Sequence, residues 1–330
     1  LLKLANSKVN LATTHSLFKK LHRTDYSHFV DYDLILDEVI TPIEVIKMAS
    51  DDIDIAFERG LIVKNEKTGE ITYTGDEYNG KYYAHLKKLC DTSNVVYINN
   101  RLLVWAFPPE IFKSFKSVKV LTYLFEGSYL ASYFKFYNIS YTVIKQNIDE
   151  LNQKNKIKSL LNIYEGNCNN IGDYHYAFSN NWLRDFSKSK KKVEQLKSST
   201  ANLLFRNFKS SSNNTAFTVF KEFRSKLKGK GYSNGFVSVN ERATNKYSHK
   251  ETMLYFANQF INPNIKDFFN TKKVVVNEDK WALSELLQWI WRGRIRRNEP
   301  MNLYIPSKRM RNLLYDWLDN VEVNVFQDAA

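Results

Sequence analysis

Apolar and polar positions alternate along this chain in short blocks that change period from two to about 3.6 and back. Val9 to Thr13 reads as a strand and Ser16 to Leu21 as a helix. Asp33 to Leu36 is the next strand, and Pro42 suits the first turn of a helix behind it, where a missing N–H costs little. Val95 to Ile98 and Leu102 to Ala106 flank Asn99-Asn100 and predict a hairpin. Val118 to Thr122 predicts a third buried strand, followed by a helix from Ser128 to Tyr137. The pattern loosens between 140 and 180, and a basic stretch from Lys188 to Lys230 reads as helical pieces interrupted at Ser210 to Asn214. The alternation then resumes, with a strand at Phe236 to Val239 and helices at His249 to Phe260 and Trp281 to Trp291. A strand at Asn302 to Ile305 and a terminal helix at Lys308 to Leu318 complete it. Strands alternating with helices predict an α/β fold with mainly parallel sheets. Two domains are expected, 1–145 and 146–330, the second carrying the basic helical insertion.

Composition narrows the class. Hydrophobic residues are 43% and aromatics 15% of 330 residues, so packed cores rather than disorder are expected. Cys90 and Cys168 have no metal-like spacing and suggest no disulfide framework, and the six histidines have no zinc-ligand spacing. No apolar run reaches membrane-spanning length and no signal-peptide layout opens the chain, so a cytoplasmic protein without a membrane partner is expected. The formal charge of +13 favours a polyanionic partner. With no amphipathic apolar anchor, that partner is expected to be nucleic acid, DNA in preference to RNA.

Two constellations carry candidate chemistry. The strand Asp33 to Leu36 ends in Asp37-Glu38, which places two carboxylates where α/β folds bind ligands. The bland alternative is a strand meeting a solvated acidic turn. The second is Gln288 to Arg296; on a continuous helix Gln288, Arg292 and Arg296 fall at i, i+4 and i+8 and share one face. Guanidinium groups in such a row suit phosphoryl transfer, and a basic amphipathic helix with Trp289 and Ile290 in the core is the plainer explanation. The run Lys188 to Lys192 reads first as a solvated face, and Tyr247, Arg309 and Arg311 as candidate contacts to strand bases or phosphates, with a basic terminal helix face explaining the arginines as well.

Taken together these motifs resemble the superfamily 2 helicases, the DEAD/DEAH-like enzymes with two RecA-like lobes, and within them the helicase-like proteins of phages and mobile elements. Val9 to Phe18, containing Thr14 and His15, resembles the strand and loop before the acidic box; Asp37-Glu38 resembles the box itself. Leu121-Thr122-Tyr123 resembles the interlobe coupling motif, Arg242-Ala243-Thr244-Asn245 the second-lobe motif that touches nucleic acid, and Gln288 to Arg296 the arginine-finger motif.

The resemblance implies an ATP-dependent helicase or translocase, working in phage replication in the host-cell cytoplasm. ATP and Mg²⁺ would be its cofactors, with Asp37 as the metal residue and Glu38 orienting water. Thr122 would couple the nucleotide to lobe movement, and Gln288, Arg292 and Arg296 would face the γ-phosphate. Thr14, His15, Thr244 and Asn245 would contact nucleic acid. Apart from the resemblance, Lys228-Gly229-Lys230-Gly231 reads as a flexible turn, with Lys230 as a candidate phosphate contact. Two departures stand out. The arginines are four apart rather than three, with Arg294 between them, and the coupling motif lacks the common Ser-Ala-Thr form. A phosphate-binding loop is also missing, because only 36 residues precede Asp37 and none is glycine. The stretch Gly75 to Lys81 has P-loop spacing, but Asp76, Glu77 and Tyr82 make a hairpin turn the better assignment. The chain is therefore expected to be truncated inside its first lobe and to hydrolyse ATP poorly by itself. The alternatives are a non-catalytic nucleic-acid-binding protein on a helicase fold and, ranked lower, a viral DNA-packaging ATPase.

Overall fold

The computed structural model describes residues 1–21, 23–75, 81–92, 94–144, 149–241 and 244–319. The chain divides into two units. Unit 1 is Leu1–Val143 with Asn262–Val276, and unit 2 is Ile144–Ile261 with Asn277–Ala330. The chain thus returns to unit 1 rather than crossing a single boundary.

In unit 1, residues 9–14 form no strand, and a short helix α1 (His15–Phe18) follows, capped by the Thr14 hydroxyl accepting from Leu17 N–H. Strands β1 (Asp33–Asp37) and β7 (Ser117–Leu121) pair in parallel, Asp33 beside Ser117 and Asp37 beside Leu121. They are not the buried strands expected. Only one face of this two-stranded sheet packs, so Leu36 is buried while Ile35 is 59% and Leu121 54% exposed.

An antiparallel module lies between β1 and β7. Pro42 leads into a strand and not a helix: β2 (Ile43–Val45) follows directly, because Ile43 is wholly buried and Pro42 O accepts from Phe107 N–H. After α2 (Ser50–Glu58), β3 (Ile62–Lys64) pairs with β4 (Ile71–Tyr73), and α3 (Lys81–Thr92) precedes the predicted hairpin β5 (Asn94–Ile98) and β6 (Leu102–Ala106). Asn99 and Asn100 both take left-handed φ values of 51° and 50°, the conformation that asparagine tolerates best after glycine. The sheet order is β2-β6-β5. Beyond β7, Ser128 caps α4 (Tyr129–Phe136), whose Phe136 stacks on Phe268 at 4.4 Å.

Unit 2 is a four-stranded parallel sheet in the order β8-β11-β10-β9, built from β8 (Leu161–Ile163), β9 (Thr215–Thr218), β10 (Thr252–Tyr255) and β11 (Met301–Tyr304). Its first helix, α5 (Glu150–Leu160), leads into β8, and α6 (Phe186–Leu203) runs between β8 and β9. The segment expected to be a helix, His249 to Phe260, holds β10 instead. Residues 252–259 are all buried, as for a central strand covered on both faces. The strand expected at Phe236 to Val239 reduces to one parallel bridge, Phe236 to Phe217.

Alternate strand residues face different layers. Phe217, Leu254, Phe256 and Tyr304 form one core with Val193, Leu196 and Leu203 of α6. The 262–276 segment contributes α7 (Pro263–Asn270), which belongs to unit 1 through Phe268 and Phe269 against Phe136. Helix α8 (Glu278–Ile290) sets Trp289 on Tyr255 at 5.3 Å and packs with α9 (Lys308–Leu318). The Gly75 to Lys81 stretch falls largely outside the described residues. Among the described residues, no helix is long and apolar enough to cross a membrane.

Candidate functional site

In unit 1 the acidic tip is formed by strand pairing. Asp37 ends β1 exposed, and Glu38 N–H extends the ladder by donating to Leu121 O at 3.0 Å. Glu38 has φ 76°, a left-handed conformation that costs a non-glycine residue roughly 1–2 kcal/mol and turns the chain sharply at the second carboxylate. Thr122 directly follows Leu121, so the parallel register places it at the same strand end as Glu38. His15, first in α1, lies within the field of both acids. Desolvation by burial and the nearby Lys19 ammonium push its pKa down, while Glu38 and Asp37 oppose that shift. Lys19 is held by Glu44 at 2.6 Å and lies over Trp105. Four expected residues, His15, Asp37, Glu38 and Thr122, therefore converge here, with the Thr14 hydroxyl engaged as the α1 cap.

This set suits Mg²⁺ in donor type, because the ion takes one or two carboxylates, keeps waters and draws its other ligands from substrate phosphates. Among the described residues no group of three or more His, Cys, Asp or Glu side chains is placed to hold a metal by protein ligands alone. The tip would share a cation with a phosphate rather than enclose it.

The remaining predicted residues lie in unit 2, at the amino-terminal end of its sheet. Helix α8 stops at Ile290, and Gly293 N–H closes a tight turn on Ile290 O. A Cβ on Gly293 would fall 2.5 Å from Met301 Sδ and 3.1 Å from Met253 Cγ, so glycine lets the chain turn close against these side chains without displacing them. Gln288, Arg292 and Arg296 consequently do not form one helical face. Gln288 donates to Ser284 Oγ at 3.2 Å. Arg292 is 6% exposed and donates to Glu241 O at 2.9 Å, a buried clamp between two loops. Arg294 bridges Glu251 and Glu299, whereas Arg296 sits exposed in a single 3₁₀ turn.

Lys230 is exposed in a turn pinned by the buried Tyr232, whose hydroxyl donates to Leu227 O. Thr244 and Asn245 lie in the loop entering β10, with Thr244 Oγ1 accepting from Lys246 N–H. Arg242 and Ala243 of that motif lie outside the described residues.

At the carboxyl end of this sheet, where α/β folds usually bind ligands, the structure holds a polar network that no sequence motif marks. Arg309 reaches Asp279 at 2.6 Å, Asn258 Oδ1 at 3.0 Å and Gln259 O at 2.8 Å, and lies over Phe260. Arg311 is buried, donates to Ile305 O at 2.8 Å and pairs with Glu165 at 3.0 Å. Tyr315 donates to Glu165, and its own burial together with that carboxylate raises its pKa to about 12. Both arginines expected on a nucleic-acid-facing helix are thus internal clamps. The one available sequence signal was a pair of arginines in the first turns of a helix, where the dipole disfavours cations. Gly172 packs so tightly that a Cβ would overlap Pro306 O at 1.8 Å.

Residues 155–318 match the family model described as the YonV C-terminal Rossmann-like domain, and residues 43–105 match the YonV middle domain. A protein of Bacillus subtilis (strain 168), described as SPbeta prophage-derived uncharacterized protein YonV, is 38% identical over 333 aligned positions, gaps included, that cover 94% of this chain and 80% of that protein. The chain belongs to the YonV family. No solved structure matches it. The middle domain of the family corresponds here to the antiparallel module between β1 and β7, so the acidic tip is assembled from strands that bracket that domain. Its Rossmann-like domain corresponds to the parallel sheet of unit 2, with 262–276 inside the matched range.

Proposed function

We propose that this YonV-family chain belongs to an ATP-dependent nucleic-acid translocase of superfamily 2 type, acting on DNA in the cytoplasm of a phage-bearing host. The observation that carries this is the parallel register of β1 and β7, which sets Thr122 beside the Asp37-Glu38 turn. The net charge of +13 supports a nucleic-acid partner, and the prophage-derived relative supports a phage-bearing host.

In this assignment Asp37 would hold the Mg²⁺–nucleotide, Glu38 would orient a water and accept its proton, and Thr122 would sense the occupied tip. When bound, Mg²⁺ would neutralise charge on the ATP phosphates as the γ-phosphoryl group passes to that water. Of the second motif, Arg296 is the exposed guanidinium and Arg292 holds the turn that carries it. The test is DNA-stimulated ATP hydrolysis by the longest natural form, compared with Glu38→Gln and Asp37→Asn. Loss of turnover with retained DNA binding is expected, and undiminished turnover in both variants rejects the assignment.

The engagement of Arg292 with Glu241 favours a second possibility, a nucleic-acid-binding member without catalysis. It would bind DNA and show no hydrolysis in either the parent or the variants.

A further inference from the structure

One aromatic of unit 2 is placed unlike the others. Helix α6 ends in a single π turn, Leu204–Phe208, in which Phe205 is 82% exposed while Leu204 is buried and Phe208 meets Tyr164 edge-on. π turns are rare and frequently mark functional sites. Lys209, at φ 48°, ends the turn in the left-handed region and reverses the chain. Phe205, Arg206, Asn207 and Lys209 form an exposed tip.

The tip stands at the amino-terminal end of the parallel sheet. Glu251 N–H donates to Asn214 O at 2.9 Å and Asn302 N–H to Glu251 O at 2.8 Å, so the segments entering β9, β10 and β11 lie level. Ser210, next to the tip, reaches Glu251, which pairs with Arg294. The Lys228-Gly229-Lys230-Gly231 turn also abuts the tip, since a Cβ on Gly231 would touch Leu204 Cδ1 at 3.2 Å. Arg206 and Lys209 flank the exposed Phe205 along the chain, and Lys228 and Lys230 are exposed on the adjoining turn. Of the carboxylates at this end, Glu251 and Glu299 are engaged by Arg294 and Arg297. The run at Lys190 to Lys192 lies at the other end of α6, about 20 Å away at 1.5 Å per residue.

An exposed aromatic with cations on its own turn and on the adjoining one fits a strand that offers both base faces and phosphates. On the nucleic-acid assignment above, on which this rests, we infer that the π-turn tip is a single-strand binding site. A base stacks on Phe205 while Arg206, Lys209 and Lys230 contact flanking phosphates. A paired duplex keeps its base faces covered and gains only the phosphate contacts.

The test uses the full chain and a fluorescein-labelled oligothymidylate of about 20 nucleotides, read by anisotropy between about 50 and 200 mM salt. Phe205→Ala is expected to weaken binding by about 5- to 150-fold, and Phe205→Trp to stay within about twofold of the parent. Arg206→Glu with Lys209→Glu should flatten the logarithmic salt slope by about 1.4, roughly 0.7 for each lost single-strand phosphate contact. Duplex binding should be unaffected by Phe205→Ala. Since Phe205 is exposed, unchanged circular dichroism is expected in each variant. A parent that binds oligonucleotide while Phe205→Ala binds within about twofold of it overturns this site and leaves the nucleic-acid assignment standing. Equal loss on single strand and duplex also overturns base stacking. A parent that binds no oligonucleotide overturns the nucleic-acid assignment itself.

Discussion

Replacing Arg292 by methionine separates a buried clamp from a catalytic finger. The substitution keeps an apolar stem and removes the guanidinium that donates to Glu241 O at 2.9 Å inside a site only 6% exposed. A hydrogen bond from a charged donor contributes about 1.5–3 kcal/mol, and stranding the buried carbonyl adds to the loss, so about 2–4 kcal/mol is expected. With a urea dependence of about 2–3 kcal/mol per molar, the unfolding midpoint should fall by roughly 1 M. Arg296→Met, at an exposed position of the adjoining 3₁₀ turn, should change stability by no more than about 0.5 kcal/mol. The assay is equilibrium urea unfolding followed by near-ultraviolet circular dichroism, with ATP turnover measured in parallel. A midpoint for Arg292→Met equal to that of Arg296→Met, with turnover abolished, would refute the clamp and return Arg292 to the phosphate.

Other expectations follow from the same geometry. Glu38→Gly should raise stability by about 0.5–1 kcal/mol, because glycine accepts the left-handed backbone that Glu38 holds at φ 76°, while removing any turnover; a thermal melt that drops instead counts against strain at the tip. His15 should titrate below the ordinary histidine value of 6.5 in an NMR pH series, and Glu38→Gln should lower it further by deleting an opposing negative charge. Because the fold holds His15 neutral, its contribution to stability is present above pH 6.5 and declines as pH falls through the lower folded value. A His15 pKa unchanged in Glu38→Gln would show that the two side chains are not coupled. Gly172→Ala should cost about 1–3 kcal/mol or prevent folding, since the new methyl would collide with Pro306 O, and a wild-type melting curve would contradict that packing.

Where local chemistry alone decided structure, the sequence was readable. Asn99-Asn100 could supply two left-handed residues, the helical runs from 128 and from 308 kept their period, and the acidic pair followed an apolar strand. Misreadings came where tertiary context decided. A continuous apolar run such as Met253 to Ala257 has no period, so nothing local distinguishes a central strand from a buried helix. Ile43 became a strand residue because β6 was available to pair with it. The candidate site divided in the same way. The acidic tip rests on two strands and their register, which patterning can suggest. The shared face of Gln288, Arg292 and Arg296 assumed an unbroken helix, and the sulfur of Met301 beside Gly293 is a contact that spacing cannot reveal.

The return of residues 262–276 to unit 1 has a consequence for biogenesis. On a ribosome, the first unit cannot finish until nearly all of the second domain's leading segment has been made. Phe136 must wait for Phe268, about 130 positions later, to receive its stacking partner. At about 5–20 residues per second, that leaves an aromatic surface uncovered for on the order of ten seconds. The interval is long enough for a nascent-chain chaperone to engage, and a ribosome stalled before residue 262 would hold a first unit without its closing helix.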